Sequence, residues 1–156
     1  MKIAPEKSIA IGDAYIQLGK RQHMLGNMDS AIALYTTAQN YFRDIDNEKG
    51  IGKVYQSFAV VKSSMKDYQG ALDNILKAIE IYERVGFKRG LTMAYMGAGN
   101  NYRFLGNTKD GSVYMFKAMN NALSLGDSAW YYQTMAEYAG MMYKSGRSDS
   151  SKYYFT

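Results

Sequence analysis

The feature that most constrains this chain is that it matches itself at one constant offset, the distance from Leu25 to Met65. Leu25-Gly26-Asn27-Met28-Asp29-Ser30-Ala31 recurs as Met65-Lys66-Asp67-Tyr68-Gln69-Gly70-Ala71, as Leu105-Gly106-Asn107-Thr108-Lys109-Asp110-Gly111 and as Ser145-Gly146-Arg147-Ser148-Asp149-Ser150-Ser151. Self-similarity at one fixed period marks a stacked-repeat architecture, in which each unit buries its apolar face against its neighbours. Upstream of each turn the offset aligns Tyr15, Tyr55, Tyr95 and Met135, then Leu18, Phe58, Ala98 and Tyr138, then Gly19, Ala59, Gly99 and Ala139. A step of three and then one is a helical face with a small residue in it. Downstream, Ala31, Ala71, Gly111 and Ser151 align, followed by Tyr35, Ile75, Met115 and Phe155, and by Ala38, Ala78 and Ala118. This is a second helix.

Two helices approach to about 8 Å only where their contact positions lack bulk. Interior Gly19, Gly99 and Gly140 each cost about 1 kcal/mol of helix propensity, so close packing is the expected compensation. Gly26, Gly106 and Gly146 read as turn residues, and Gly86 and Gly126 as left-handed helix stops. Pro5 suits the start of the first helix. The pattern predicts first helices at about 5–24, 48–65, 88–105 and 128–145, and second helices at about 28–45, 68–85, 108–125 and from 148 onward. Nothing alternates at period two, so no strand is predicted.

Composition removes most enzyme classes. With no Cys and a single His, thiolate nucleophiles, disulfides and multi-histidine metal cages are excluded. Net charge is +5 without a basic run, a weak argument for nucleic acid. No stretch approaches about 18 consecutive apolar residues, and the start resembles no signal peptide, so membrane insertion is not expected and the sequence as it stands predicts a cytoplasmic protein.

Leu18-Gly19 followed by Leu25-Gly26-Asn27-Met28-Asp29-Ser30-Ala31-Ile32-Ala33-Leu34-Tyr35-Thr36-Thr37-Ala38 resembles the tetratricopeptide repeat (TPR), whose pattern has an aromatic, then Leu-Gly, then Gly-x-Tyr-x-x-Ala-x-x-x-Tyr-x-x-Ala. Tyr68-x-x-Ala71 and Tyr102-x-x-Leu105-Gly106-Asn107 match similarly, and the resemblance spans essentially the whole chain. A 40-residue period with long linkers, Asp44 to Gly50 and Arg84 to Gly90, is similar to the subfamily of kinesin light chains, spindle-orientation adaptors, peptide-pheromone regulators and bacterial sensor kinases and regulators. Lys66 replaces a turn glycine, and Gly111 and Ser151 replace the Ala of the pattern, which predicts looser later pairs. The resemblance implies an all-α fold, an open right-handed superhelix (α-solenoid) of antiparallel helical hairpins. It also implies one TPR domain over 1–156, with repeats at about 5–47, 48–87, 88–127 and a truncated 128–156.

Most apparent chemical motifs have plainer readings. His23 stands beside Lys20 with no carboxylate spaced to orient it, a poor general base. Gly50-Ile51-Gly52-Lys53 lacks the spacing and preceding strand of a phosphate loop and reads as a linker entering a helix. Gly97-Ala98-Gly99 reads as a helix-packing pair, and Asp44, Asp46 and Glu48 as solvated helix-start charges. Of the many Tyr and Met, most are expected between helices, chiefly Tyr15, Tyr35, Tyr55, Tyr82, Tyr95 and Tyr138.

The remaining face of each first helix, about 130° from its packing face by the 100° helical increment, carries Asp13, Ile16, Lys20 and His23; Lys53, Gln56, Val60 and Ser63; Met93, Met96, Asn100 and Arg103; and Gln133, Ala136, Gly140 and Tyr143. In the family these positions line the concave groove, so Lys20, Lys53, Gln56, Met93, Met96, Asn100, Arg103, Gln133 and Tyr143 are the candidate peptide-binding residues, with Asn100, Met96 and Arg103 the strongest cluster. The Lys/Asn set that some members use to clamp a chaperone tail is absent, with Ile16, Ser57, Met93 and Gly97 in its places. The expectation is a non-catalytic scaffold for a protein or extended peptide, without cofactor, metal or nucleic acid; the alternative is a sensory or oligomerising portion of a longer histidine kinase or transcription regulator. The last hairpin stops in mid-element at Ser151-Lys152-Tyr153-Tyr154-Phe155, so a fragment whose apolar end supports homo-oligomerisation is also expected.

Overall fold

The computed structural model describes residues 5–144, with side chains from Ile9 onward. Seven helices fill them: α1 (Pro5–Met24), α2 (Met28–Asp44), α3 (Glu48–Ser64), α4 (Tyr68–Val85), α5 (Lys88–Phe104), α6 (Thr108–Ser124) and α7 (Ser128–Lys144). No strand occurs among the described residues. Each boundary falls within one residue of the position read from the repeat, and the fold class is an all-α helical solenoid. The eighth helix expected from 148 onward, Gly146 and the aromatic tail lie outside the described residues. Two compact units divide at a hairpin boundary, one ending at Phe87 and one beginning at Lys88.

The connections are shorter than the linkers read from the 40-residue period. Asp44–Gly50 and Arg84–Gly90 are not linkers: α2 ends at Asp44 and α3 begins at Glu48, which puts Gly50, Gly52 and Lys53 in helix. The cause is a stop that recurs twice in every repeat. Gly26, Asp46, Lys66, Gly86, Gly106 and Gly126 all have left-handed φ, between 53° and 83°. The next residue then donates its amide to the carbonyl five residues back, as Asn47 does to Phe42 at 2.8 Å, Asp67 to Lys62 at 2.9 Å and Asp127 to Ala122 at 3.0 Å. At four of these six stops the same residue also caps the following helix. Asn47 Oδ1 accepts from the Gly50 amide, Asp67 Oδ1 from Gly70, Asn107 Oδ1 from Asp110 and Asp127 Oδ1 from Trp130, at 2.6 to 3.1 Å. One residue thus satisfies orphan groups of two helices. At Asp67 the Gly70 amide and then Lys62 hold the carboxyl below its usual range.

Within the first unit, Ile16, Ala31, Tyr35, Ala38, Phe42, Val54 and Val61 form a core drawn from α1, α2 and α3. Its large rings lie against bare backbone. A methyl at Gly12 or Gly50 would run into the Phe42 ring, one at Gly19 into Tyr35 and one at Gly52 into Tyr82. In the second unit, a methyl at Gly99 would stand 2.9 Å from Met115 and 3.0 Å from the Gly111 carbonyl. So Gly111 does not loosen its hairpin; it lets the α5 and α6 backbones touch. Gly140 is the exception to the packing expectation, because among the described residues no atom beyond its own helix backbone lies within 4 Å of a methyl added there. Tyr35, Tyr82 and Tyr95 are buried and Tyr15, Tyr55 and Tyr138 half-buried, as the register implies.

Two stability changes follow. Gly19→Ala gains helix propensity but drives a methyl into a buried ring, and a net loss of about 1–2 kcal/mol is expected in urea unfolding. Lys66→Gly relieves a left-handed lysine at φ 64°, and a gain of about 0.5–1 kcal/mol is expected in the same assay.

Candidate peptide-binding groove

First helices within each unit meet edge to edge, and polar side chains bridge them. In the first unit Lys53 Nζ donates to Asp13 Oδ1 at 3.0 Å and Oδ2 at 3.3 Å, joining α3 to α1. One end of the same seam is closed by His23 Nε2 and Ser64 Oγ at 2.9 Å. The Ser64 hydroxyl already donates to the Val60 carbonyl at 3.1 Å, so the imidazole N–H is the donor of the inter-helix bond. Lys20 is exposed and Ser63 half-buried. Val60 is half exposed.

Two of the expected groove residues turn inward here. Ile16, 3% exposed, belongs to the core with Val54 and Val61, because α3 as well as α2 closes over that side of α1. Gln56 is half-buried and accepts from the Tyr82 hydroxyl at 2.8 Å, which ties it to its own hairpin. Burial raises the pKa of that hydroxyl well above the ordinary tyrosine value, so it stays a donor.

The second unit carries the denser cluster. Arg103 Nη2 donates to Asn100 Oδ1 at 3.1 Å, and Asn100 Nδ2 donates to Glu137 Oε2 at 2.9 Å, joining α5 to α7. The guanidinium lies 4.6 Å from the Phe104 ring centre. Asn100, Arg103, Glu137, Gly140, Met141 and Lys144 line a half-open pocket of about 330 Å³. Sequence reasoning found Asn100 and Arg103 but missed Glu137, Met141 and Lys144. A strict one-repeat offset pairs Asn100 with Gly140, whereas the bond reaches one turn earlier; the available signal was that Glu137 is the one carboxylate in α7. Met96, by contrast, is 7% exposed and offers little surface to a ligand, while Met93 is half exposed. Gln133 and Tyr143 are exposed, Tyr143 at 76%. Charge is also uneven: between residues 88 and 144, Lys88, Arg89, Arg103, Lys109, Lys117 and Lys144 oppose Asp110, Asp127 and Glu137.

Among the described residues no group of three or more His, Cys, Asp or Glu side chains is placed to hold a metal ion, and no helix is long and apolar enough to cross a membrane. By sequence alone, no protein-family model and no curated protein matches the chain. Solved structures do. BtubC (BKLC) from P. vanneervenii superposes with a TM-score of 0.82 at 16% identity, covering 97% of this chain and 61% of that one. The TPR domain of Arabidopsis FLU gives 0.67 at 13% identity over 76% of this chain and 98% of its own. A signal-transduction ATPase with numerous domains and a tetratricopeptide repeat sensor, from Pyrococcus horikoshii, gives 0.77 at 19% identity, covering 95% of this chain and 24% of that one. The chain therefore has the tetratricopeptide-repeat fold, a helical-repeat scaffold, and spans less than two thirds of the first and third of these neighbours.

The Asp13–Lys53 bridge is about one-third exposed on both sides, so its worth is small. A double-mutant cycle with Asp13→Asn and Lys53→Met should give a coupling of about 1 kcal/mol or less, falling further in molar salt.

Proposed function

We propose that this chain is a non-catalytic binding module that holds an extended protein segment along the exposed edges of the first helices within a unit, α1 and α3 in one and α5 and α7 in the other. The observation that carries the reading is the Arg103–Asn100–Glu137 bridge with its adjoining pocket: polar groups held in place by inter-helix bonds, yet open to solvent. A site held this way loses little freedom on binding, so most of the ordering cost falls on the ligand. In the second unit exposed Met93, Gln133 and Tyr143 add an apolar anchor and backbone-pairing groups, and in the first unit exposed Lys20 and half-exposed Lys53 supply cations. Met96 and Gln56 act from behind, fixing the helices that carry these residues.

A second reading, as the sensory portion of a longer signalling protein, draws support from the Pyrococcus neighbour, which carries its repeats as a sensor within a much longer chain. The two readings share the groove and differ in what binding triggers.

Titrating the ¹⁵N-labelled chain with an array of extended dodecapeptides tests the shared claim. Bound peptides should shift amides on α1, α3, α5 and α7, and Asn100→Ala with Arg103→Ala should weaken the tightest by about tenfold, a loss of about 1.4 kcal/mol. Shifts confined to α2, α4 and α6, or an affinity kept within about twofold, would place recognition elsewhere.

A further inference from the structure

Gly140 is a glycine in the interior of α7 that nothing in the structure requires. Its φ is not left-handed, and among the described residues no atom beyond its own helix backbone lies within 4 Å of where its Cβ would stand. At Gly12, Gly19, Gly50, Gly52 and Gly99 the missing side chain lets a ring or a backbone approach; here it leaves room in the pocket lining. The residues at the same register are Lys20, Val60 and Asn100. A side chain at this position occupies the edge of the first helix in all three earlier repeats, and the fourth leaves it bare.

From this we infer that the Gly140 pocket is a carboxylate site, and that Gly140 is the residue that admits the ligand. The inference rests on the binding-module reading and names the chemistry of what is bound. Around the pocket stand two cations, Arg103 and Lys144, and one carboxylate, Glu137. Glu137 already accepts from Asn100, and Asn100 stands between it and Arg103, so the guanidinium is not spent on a direct ion pair. Arg103 uses one N–H on Asn100 and keeps the rest of its fork, with the guanidinium set against Phe104. A carboxylate seated beside Gly140 brings the pocket to two charges of each sign. An ammonium there would leave three positive charges around one negative. The local balance therefore favours an acidic group, and the half-open geometry admits the tip of a side chain or a chain terminus without burying the rest.

The test is an NMR titration of the ¹⁵N-labelled chain with blocked pentapeptides. Acetyl-Ala-Ala-Glu-Ala-Ala-amide is compared with its Gln and Lys counterparts and with acetyl-penta-alanine bearing a free C-terminal carboxylate. The Glu probe should shift the amides of Gly140, Met141 and Lys144 saturably, with the Gln and Lys probes weaker by about tenfold, the effect expected of one charge-assisted contact. Comparable shifts from the free-terminus probe assign the site to a chain end as well as to a side chain; their absence restricts it to the side chain. Gly140→Val, which installs the residue of the matching α3 position, should abolish these shifts while leaving the rest of the spectrum and the thermal midpoint unchanged. Arg103→Gln should weaken the Glu probe without filling the space. Equal binding of Glu and Gln, preference for Lys, or full binding by Gly140→Val would overturn the proposal. If dodecapeptides still map onto the first helices in Gly140→Val, the binding-module reading stands and the carboxylate pocket alone falls.

Discussion

Everything in this molecule depends on large side chains resting directly on backbone that has none. Phe42 lies over Gly12 and Gly50, Tyr35 over Gly19 and Tyr82 over Gly52. Each contact lets two helices come closer than a side chain on both would allow, and each removes an aromatic ring from water, which is worth several kcal/mol per ring. Glycine inside a helix is unfavourable by itself, so the hairpin is stable only because ring and glycine sit at the same height. In the second unit the aromatic is replaced by Met115, and the compensation is closer backbone contact between Gly99 and Gly111. The same constraint is met by a different division of volume.

Register at that height is set by the helix ends. A left-handed residue and a cap recur at a constant step, so the helices from α2 onward begin at that step and present their glycines and rings in step as well. Asn47, Asp67, Asn107 and Asp127 each serve two helices, closing one through the amide and opening the next through the side chain. Where the left-handed position is not glycine, at Asp46 and Lys66, the turn keeps its geometry and the backbone carries the strain. Asp tolerates that conformation better than Lys because its short carboxylate can bond locally.

The type and limits of the seven described helices were legible in the sequence because a periodic pattern sampled four times averages out local ambiguity. The groove was legible only in part. Assigning faces by angle from one packing partner treats each first helix as gripped from one side, but α3 has α2 behind it as well as α4, and Val54 and Val61 join the α2 core. Burial therefore wraps further round the helix than a single partner would produce, and takes in Ile16. Glu137 escaped notice for a different reason. Its bond to Asn100 crosses between helices at a sequence separation one turn short of a full repeat, and a sequence offset carries no information about how far one helix slides along the next. Gly140 was read with Gly19 and Gly99 as a close-packing glycine, but whether a bare position means close contact or empty space is a property of the neighbours.

The recurring stop also governs what changes of length the chain can absorb. Removing one residue inside a helix turns everything after it by about 100° about the helix axis, which swings the following glycine away from its ring and unseats the hairpin. Adding a residue to a connection separates the closing amide from the cap it shares. Loss or gain of one whole repeat, by contrast, joins an αL–cap pair to an equivalent pair, with first helix still following second. Length in such a chain is effectively quantised, and finer variety has to come from substitutions at the exposed edges, of which Gly140 is an example with room to change.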